Sequence, residues 1–299
     1  MDRDAQETVG FVGVGLMGHG IAKNLVEKNY PLTVIGHRNR EPVEDLVGRG
    51  AREASSLAEL AAASTIVFLC LTDAAAVESI VASLEPALRP RSVIVDCSTS
   101  DPVVTERLAA RLKARGVDYC DAPLGGTPAQ AETGELQAMV GAEPAVFARL
   151  EPVFAAWTAR IVHIGGVGDG HRMKLINNLL SLGYGAIYAE ALTIARKSGL
   201  TVEQFDRVIR GSRMDCGFYR TFMGYALEGD RNAHKFTLAN AYKDMRYVEA
   251  MANASGCATP VSSAVKNTYA LAVSASGGGP EDYVPHLVDH VAQANGIDD

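Results

Sequence analysis

Short apolar runs alternate with amphipathic stretches up to residue 164, and after Gly165 the runs stop and helical periodicity takes over. The strand-like runs lie at 9–14, 32–35, 65–71, 93–96, 117–121, 137–140 and 161–164, with helix-like stretches at 19–28, 42–47 and 75–84 between them. Such alternation predicts a parallel sheet covered by helices. Beyond it, residues 170–198 are apolar on more than one face, which predicts a buried helix of about 40 Å at 1.5 Å per residue. Further helices are expected near 202–211, 216–227, 236–254, 259–274 and 280–294, with a loop at 274–280 (SASGGGP). A chain of 299 residues is long enough for two cores. The expected division is 1–164, α/β, and 165–299, all-α with a long central helix.

The formal charge of -7 and the lack of a Lys/Arg run argue against a nucleic-acid partner. A small anion remains compatible, because a few N–H groups and one or two cations suffice to hold it. Cys70, Cys97, Cys120, Cys216 and Cys257 are odd in number and include no CxxC pair, so neither a disulfide framework nor a metal site is expected. The polar, acidic start MDRDAQET is unlike a signal peptide, and no stretch of eighteen apolar residues follows. These features lead us to expect a cytoplasmic protein without a membrane partner.

The first strand-like run ends in Gly13-Val14-Gly15-Leu16-Met17-Gly18, directly before a helix. In that setting GxGxxG permits a tight turn and close approach of a dinucleotide pyrophosphate to the helix N-terminus; alone it is also an ordinary glycine turn. The second strand runs into Gly36, His37, Arg38, Asn39 and Arg40. Two arginines and no carboxylate at this tip favour NADP over NAD, the other reading being a solvated basic loop. Ser98, Thr99 and Ser100 close a later strand, where hydroxyls face ligands or cap the next helix. Asp121-Ala122-Pro123-Leu124-Gly125-Gly126-Thr127-Pro128 offers backbone N–H donors to a carboxylate, or is a turn. In Gly168-Asp169-Gly170-His171-Arg172-Met173-Lys174-Leu175-Ile176-Asn177-Asn178, Lys174 and Asn178 share one helix face. A lysine on an apolar helix is either functional or ion-paired.

Together these segments resemble the β-hydroxyacid dehydrogenase family over almost the whole chain, with four motifs in the family's order. They are Gly10 to Gly18 with Ala22, Asn24 and Leu25; Asp121 to Thr127 with Ala131, Gly134 and Leu136; Gly168 to Asn178; and Lys243-Asp244. The resemblance implies a Rossmann-type doubly wound parallel sheet followed by a helical domain like that of 6-phosphogluconate dehydrogenases. It implies hydride transfer between NADP or NAD and a small anionic hydroxy acid or aldehyde acid, with Lys174 as general acid/base. Gly125, Gly126, Thr127 and Asn178 would bind substrate; Gly13 to Gly18, Leu71, Thr99 and Lys243 would line the cofactor. Gly125 stands where most members carry serine, and Gly126 lacks the arginine of the sulfolactaldehyde reductases' Gly-Arg-Thr. An imine reductase, in which this lysine is commonly replaced, and a non-catalytic dinucleotide-binding module are the alternatives. The apolar faces of the long helix lead us to expect a homodimer or homotetramer.

Overall fold

The computed structural model describes residues 6–297. Nine strands form one sheet among the described residues: β1 (Val9–Val12), β2 (Leu32–Ile35), β3 (Arg52–Ala54), β4 (Ile66–Leu69), β5 (Val93–Asp96), β6 (Asp118–Asp121), β7 (Leu124–Gly125), β8 (Leu136–Gly141) and β9 (Thr158–Gly165). The order β3-β2-β1-β4-β5-β6 is parallel throughout, the doubly wound arrangement. Successive side chains of the central strands enter opposite cores. Phe11, Phe68, Val93 and Val95 pack with the helices Gly18–Glu27, Glu41–Gly48 and Pro144–Phe154; Val12, Val67, Leu69 and Ile94 pack with Leu57–Ala63, Ala74–Leu84 and Pro102–Lys113. Burial on both faces is why β1, β4 and β5 read as unbroken apolar runs.

The parallel expectation fails at the far edge. β8 runs antiparallel to β6 and β7, which lie end to end along one side of it, and β9 runs parallel to β8 on the other. The strand β3 and the helices between residues 57 and 154 other than Ala74–Leu84 were not expected. β3 contributes one buried residue, Ala54, so it carries no apolar run to read.

After the sheet come the helices Asp169–Lys197, Val202–Ile209, Gly217–Glu228, Leu238–Ala254, Pro260–Ser276 and Leu287–Ala294. The last starts later than expected, behind a short 3-10 turn at Val284–His286. Leu175, Leu182, Ala186, Ala189 and Leu192 of the long helix share a core with Tyr219, Phe222, Met245, Tyr269 and Leu287. Within the single chain the helix is buried on one side only: Met173, Ile176, Leu180, Tyr184, Ile187 and Ile194 are 39% to 65% exposed. They recur at spacings of three, four or seven residues and so form one outward stripe, which no described residue covers. The chain divides into two compact units, Met1–Lys174 and Leu175–Asp299. No helix among the described residues is long and apolar enough to cross a membrane.

In the first unit, Arg149 donates to both Glu7 oxygens, at 2.7 and 2.9 Å. Those bonds, opposed by partial burial and aided by the Thr65 hydroxyl, hold the Glu7 carboxyl below its ordinary 4.5. A carboxyl lowered on folding adds stability above its unfolded pKa and loses it as pH falls through the folded value. Melting temperatures followed from pH 6 to pH 3 should therefore fall less steeply for Glu7→Gln than for the parent chain. Equal slopes would show that this pair contributes nothing to acid sensitivity.

Candidate active site

β1 delivers the chain to Gly13, whose φ of +96° and position 2.2 Å (as a Cβ) from the Cys70 carbonyl admit only glycine. Leu71, from the loop after β4, packs against the same turn, and its N–H donates to Ser98 Oγ at 2.9 Å. Thr99 is half-buried beside Ser98. Val14 is nearly buried and Met17 packs on the core, whereas Leu16 is 63% exposed. A Cβ on Gly15 would meet nothing within 4 Å, while one on Gly18 would strike the Gly13 carbonyl. The helix Gly18–Glu27 that follows has no side-chain cap and no acidic residue in its first turn. Its positive end thus suits a pyrophosphate.

The same helix is fastened to Pro128–Thr133. A Cβ on Gly20 would lie 2.4 Å from the Ala131 backbone; Asn24 Nδ2 donates to the Ala131 carbonyl, Lys23 to Glu132, and His19 Nδ1 lies 2.7 Å from Glu132 Oε1. The loop that precedes Pro128 is thereby held against the cofactor helix. Gly125 pairs with Gln137 in the sheet, and Gly126 has a φ of +127°. Thr127 is the N-cap of a capping box: its N–H donates to Gln130 Oε1 at 3.0 Å and its hydroxyl accepts from Gln130 N–H. Its hydroxyl and N–H are therefore occupied by the helix, a use visible in the sequence as Thr-Pro-Ala-Gln.

At the tip of β2, His37, Arg38, Asn39 and Arg40 are all exposed. Asn39 Oδ1 accepts from Glu41 N–H, and Arg40 makes a bidentate pair with Glu53.

The long helix begins on a buried polar network that sequence reasoning missed. Asp121, at the end of β6, accepts from Gly168 N–H at 2.6 Å and His171 N–H at 2.7 Å. His171 Nε2 donates to the Ser98 carbonyl at 3.0 Å, and its Nδ1 lies 2.8 Å from Thr105 Oγ1. Asp96 accepts from Tyr119 OH and Ser98 N–H, each at 2.9 Å. Asp96, Asp121 and His171 are fully buried. Burial pushes the Asp121 carboxyl above its usual value against the opposing pull of His171 and the two helix N–H groups. A Cβ on Gly170 would strike the Met139 carbonyl, so the helix starts directly against the sheet.

Lys174 follows one turn after His171 and is half-buried; Asn178 follows one turn after Lys174. In the helical unit Asn178 Nδ2 donates to Asp244 Oδ2 at 2.7 Å, and Lys243 Nζ lies 3.2 Å from Asp244 Oδ1 and over the Tyr247 ring. Asp244 thus sets the amide plane of Asn178. No His/Cys/Asp/Glu cluster able to hold a metal exists among the described residues. Asp121→Ala leaves two buried N–H groups without their acceptor, at about 1 to 3 kcal/mol each. Thermal denaturation should show a fall of roughly 5 to 15 °C; an unchanged transition would mean that the network does not hold the helix start.

Two family models match consecutive parts of the chain: the NAD binding domain of 6-phosphogluconate dehydrogenase over residues 8–165, and the NAD-binding region of NADP-dependent 3-hydroxyisobutyrate dehydrogenase over 168–287. The 2-(hydroxymethyl)glutarate dehydrogenase of Eubacterium barkeri is 37% identical over 67% of both chains. The 3-sulfolactaldehyde reductase of Escherichia coli is 29% identical over 92% of this chain and 93% of its own. The crystal structure of 3-hydroxyisobutyrate dehydrogenase from Salmonella typhimurium superposes with a TM-score of 0.83 at 25% identity, covering 95% of this chain and 99% of that one. A likeness of fold alone extends to the imine reductase from Pseudomonas sp., at a TM-score of 0.60 and 20% identity over 96% and 99% of the two chains. The chain belongs to the β-hydroxyacid dehydrogenase family, NAD(P)-dependent oxidoreductases acting on CH–OH groups.

Proposed function

We propose that the chain interconverts a small β-hydroxy acid and its aldehyde or keto form, with Lys174 as the proton-transferring residue and NADP as the preferred dinucleotide. The observation that carries this reading is the placement of Lys174 and Asn178 on consecutive turns of one anchored helix, with the Asn178 amide oriented by Asp244. The uncapped helix after the glycine turn fits a dinucleotide pyrophosphate, and the space outside Gly15 leaves room for its approach. When bound, the nicotinamide dinucleotide gives or takes the hydride. Lys174 Nζ donates a proton to the carbonyl oxygen during reduction and takes it from the hydroxyl during oxidation. Leu71, which packs against the glycine turn, Thr99 and Lys243 line the cofactor in this reading.

Substrate recognition falls to Asn178 and to the Gly125–Gly126 backbone, since the Thr127 N–H and hydroxyl are engaged by Gln130. A side chain at 126 would meet Leu136 Cδ2 at 2.8 Å on a backbone with φ of +127°, so the arginine of a Gly-Arg-Thr loop has no place here. The substrate class this supports is a carboxylate held by backbone N–H groups rather than a sulfonate.

The outward stripe of Leu180, Tyr184 and Ile187 supports packing of the long helix on a second copy of the chain, in a homodimer or homotetramer. Sedimentation should give a multiple of 31.7 kDa for the parent chain and a shift toward 31.7 kDa for Leu180→Glu/Ile187→Glu. A parent chain that sediments at 31.7 kDa rules the assembly out.

Absorbance at 340 nm, followed with NADPH or NADH against a panel of small aldehyde acids, tests the reaction. Lys174→Ala should lower kcat by about 10²- to 10⁴-fold while the Kd for NADPH stays within twofold. Full turnover in that variant removes Lys174 from the mechanism; turnover of cyclic imines but of no aldehyde acid replaces the reaction itself.

A further inference from the structure

We propose that Arg40 sets the choice between NADP and NAD without touching the cofactor, by neutralising Glu53. The inference rests on the dinucleotide site of the proposed function and assigns the residues that read its adenosine ribose.

A carboxylate that ends the second strand of such a sheet accepts the ribose 2′-OH of NAD and repels the 2′-phosphate of NADP. The segment 36–40 contains none. The structure nevertheless supplies one from the neighbouring strand. Glu53 lies on β3, in register with Val34 of β2, and its Oε1 comes within 2.8 Å of where a Gly36 Cβ would stand. Arg40 Nη1 comes within 2.2 Å of the same point, so the two groups meet directly over Gly36.

Their contact is a fork: Nη1 donates to Oε1 at 2.6 Å and Nη2 to Oε2 at 2.9 Å. The third nitrogen, Nε, is 3.8 Å from Glu44 Oε1. Arg40 therefore directs its guanidinium nitrogens at carboxylates, while its side chain stays 48% exposed. Glu53 in turn has both oxygens held and its charge balanced. Arg38, two residues earlier, is exposed and makes no ion pair among the described residues, which makes it the cation left for a 2′-phosphate. Arg40 is thus a positioning residue that masks a carboxylate, and Arg38 is the direct reader.

This arrangement makes a prediction that a direct Arg40–phosphate contact does not. Removing Arg40 exposes the Glu53 charge, so affinity for NADPH falls and affinity for NADH rises. Removing Glu53 as well takes away the cause. The experiment is a double-mutant cycle on the full chain, with Kd values for NADPH and NADH from cofactor fluorescence titrations at low salt. For Arg40→Ala the ratio of NADPH to NADH affinity should fall about tenfold, the order expected for one uncompensated charge near a surface phosphate. For Glu53→Gln alone it should stay equal or rise. For Arg40→Ala/Glu53→Gln it should return to within about threefold of the parent ratio, and Arg40→Lys should recover part of it. An equal loss in the single and double Arg40 variants would show that Arg40 binds the phosphate itself, and an unchanged ratio in Arg40→Ala would show that the pair does not set preference; either result overturns the proposal. A parent chain that binds neither dinucleotide instead overturns the proposed function from which the inference starts.

Discussion

The two N–H groups that Asp121 accepts, from Gly168 and His171, decide where the long helix starts. The first N–H groups of a helix have no partners within it, and in a buried location they need an acceptor. Here that acceptor is a carboxylate at the carboxyl end of β6, itself fully buried. His171 then ties the helix to the next strand tip, through the Ser98 carbonyl and Thr105. Lys174 inherits its place from this anchor, because one further turn of helix separates it from His171. Low local polarity strengthens each bond of the network and makes each missing one costly, so the start of the helix has little freedom to shift.

The asparagine belongs to a second polar centre, built separately in the helical unit. Asp244 accepts from Asn178 and faces the Lys243 ammonium, so one buried carboxylate orients an amide and holds a cation. Both carboxylates arrange groups that would meet ligands. In each case the acid sits behind the residue that the family motif displays.

Much of this was legible in the sequence. The runs at 32–35 and 93–96 are strands to the residue, and the long helix was placed within one residue at both ends, because each carries its own periodicity. The glycine turn could be read because its neighbours are a strand and a helix. What could not be read depends on partners distant in the chain. Glu53 lies on a strand with one buried residue, and nothing in Arg-Glu-Ala announces that its carboxylate folds over Gly36. The reversal at β8 is made after β7, through the segment that holds the helix Pro128–Thr133, whereas the apolar residues of β8 resemble those of any parallel strand. Asp121 and His171 lay inside segments that were singled out, yet their roles appear only once Gly168 is brought to the end of β6. Which faces of the long helix meet this chain's own core cannot be read from its periodicity, because an apolar face does not say which molecule covers it.

The contact of Gly20 with the Ala131 backbone bears on how such a protein can acquire new substrates. The helix that carries the glycine turn and the helix that carries the Gly125–Thr127 loop are separated by no side chain at that point, and Asn24, Lys23 and His19 add further ties. A longer or shorter loop would pry apart two surfaces that touch main chain to main chain. Evolutionary change is thus channelled into exchanging side chains upon a scaffold of constant shape, and relatives with this contact should differ in what decorates the loop far more than in its length.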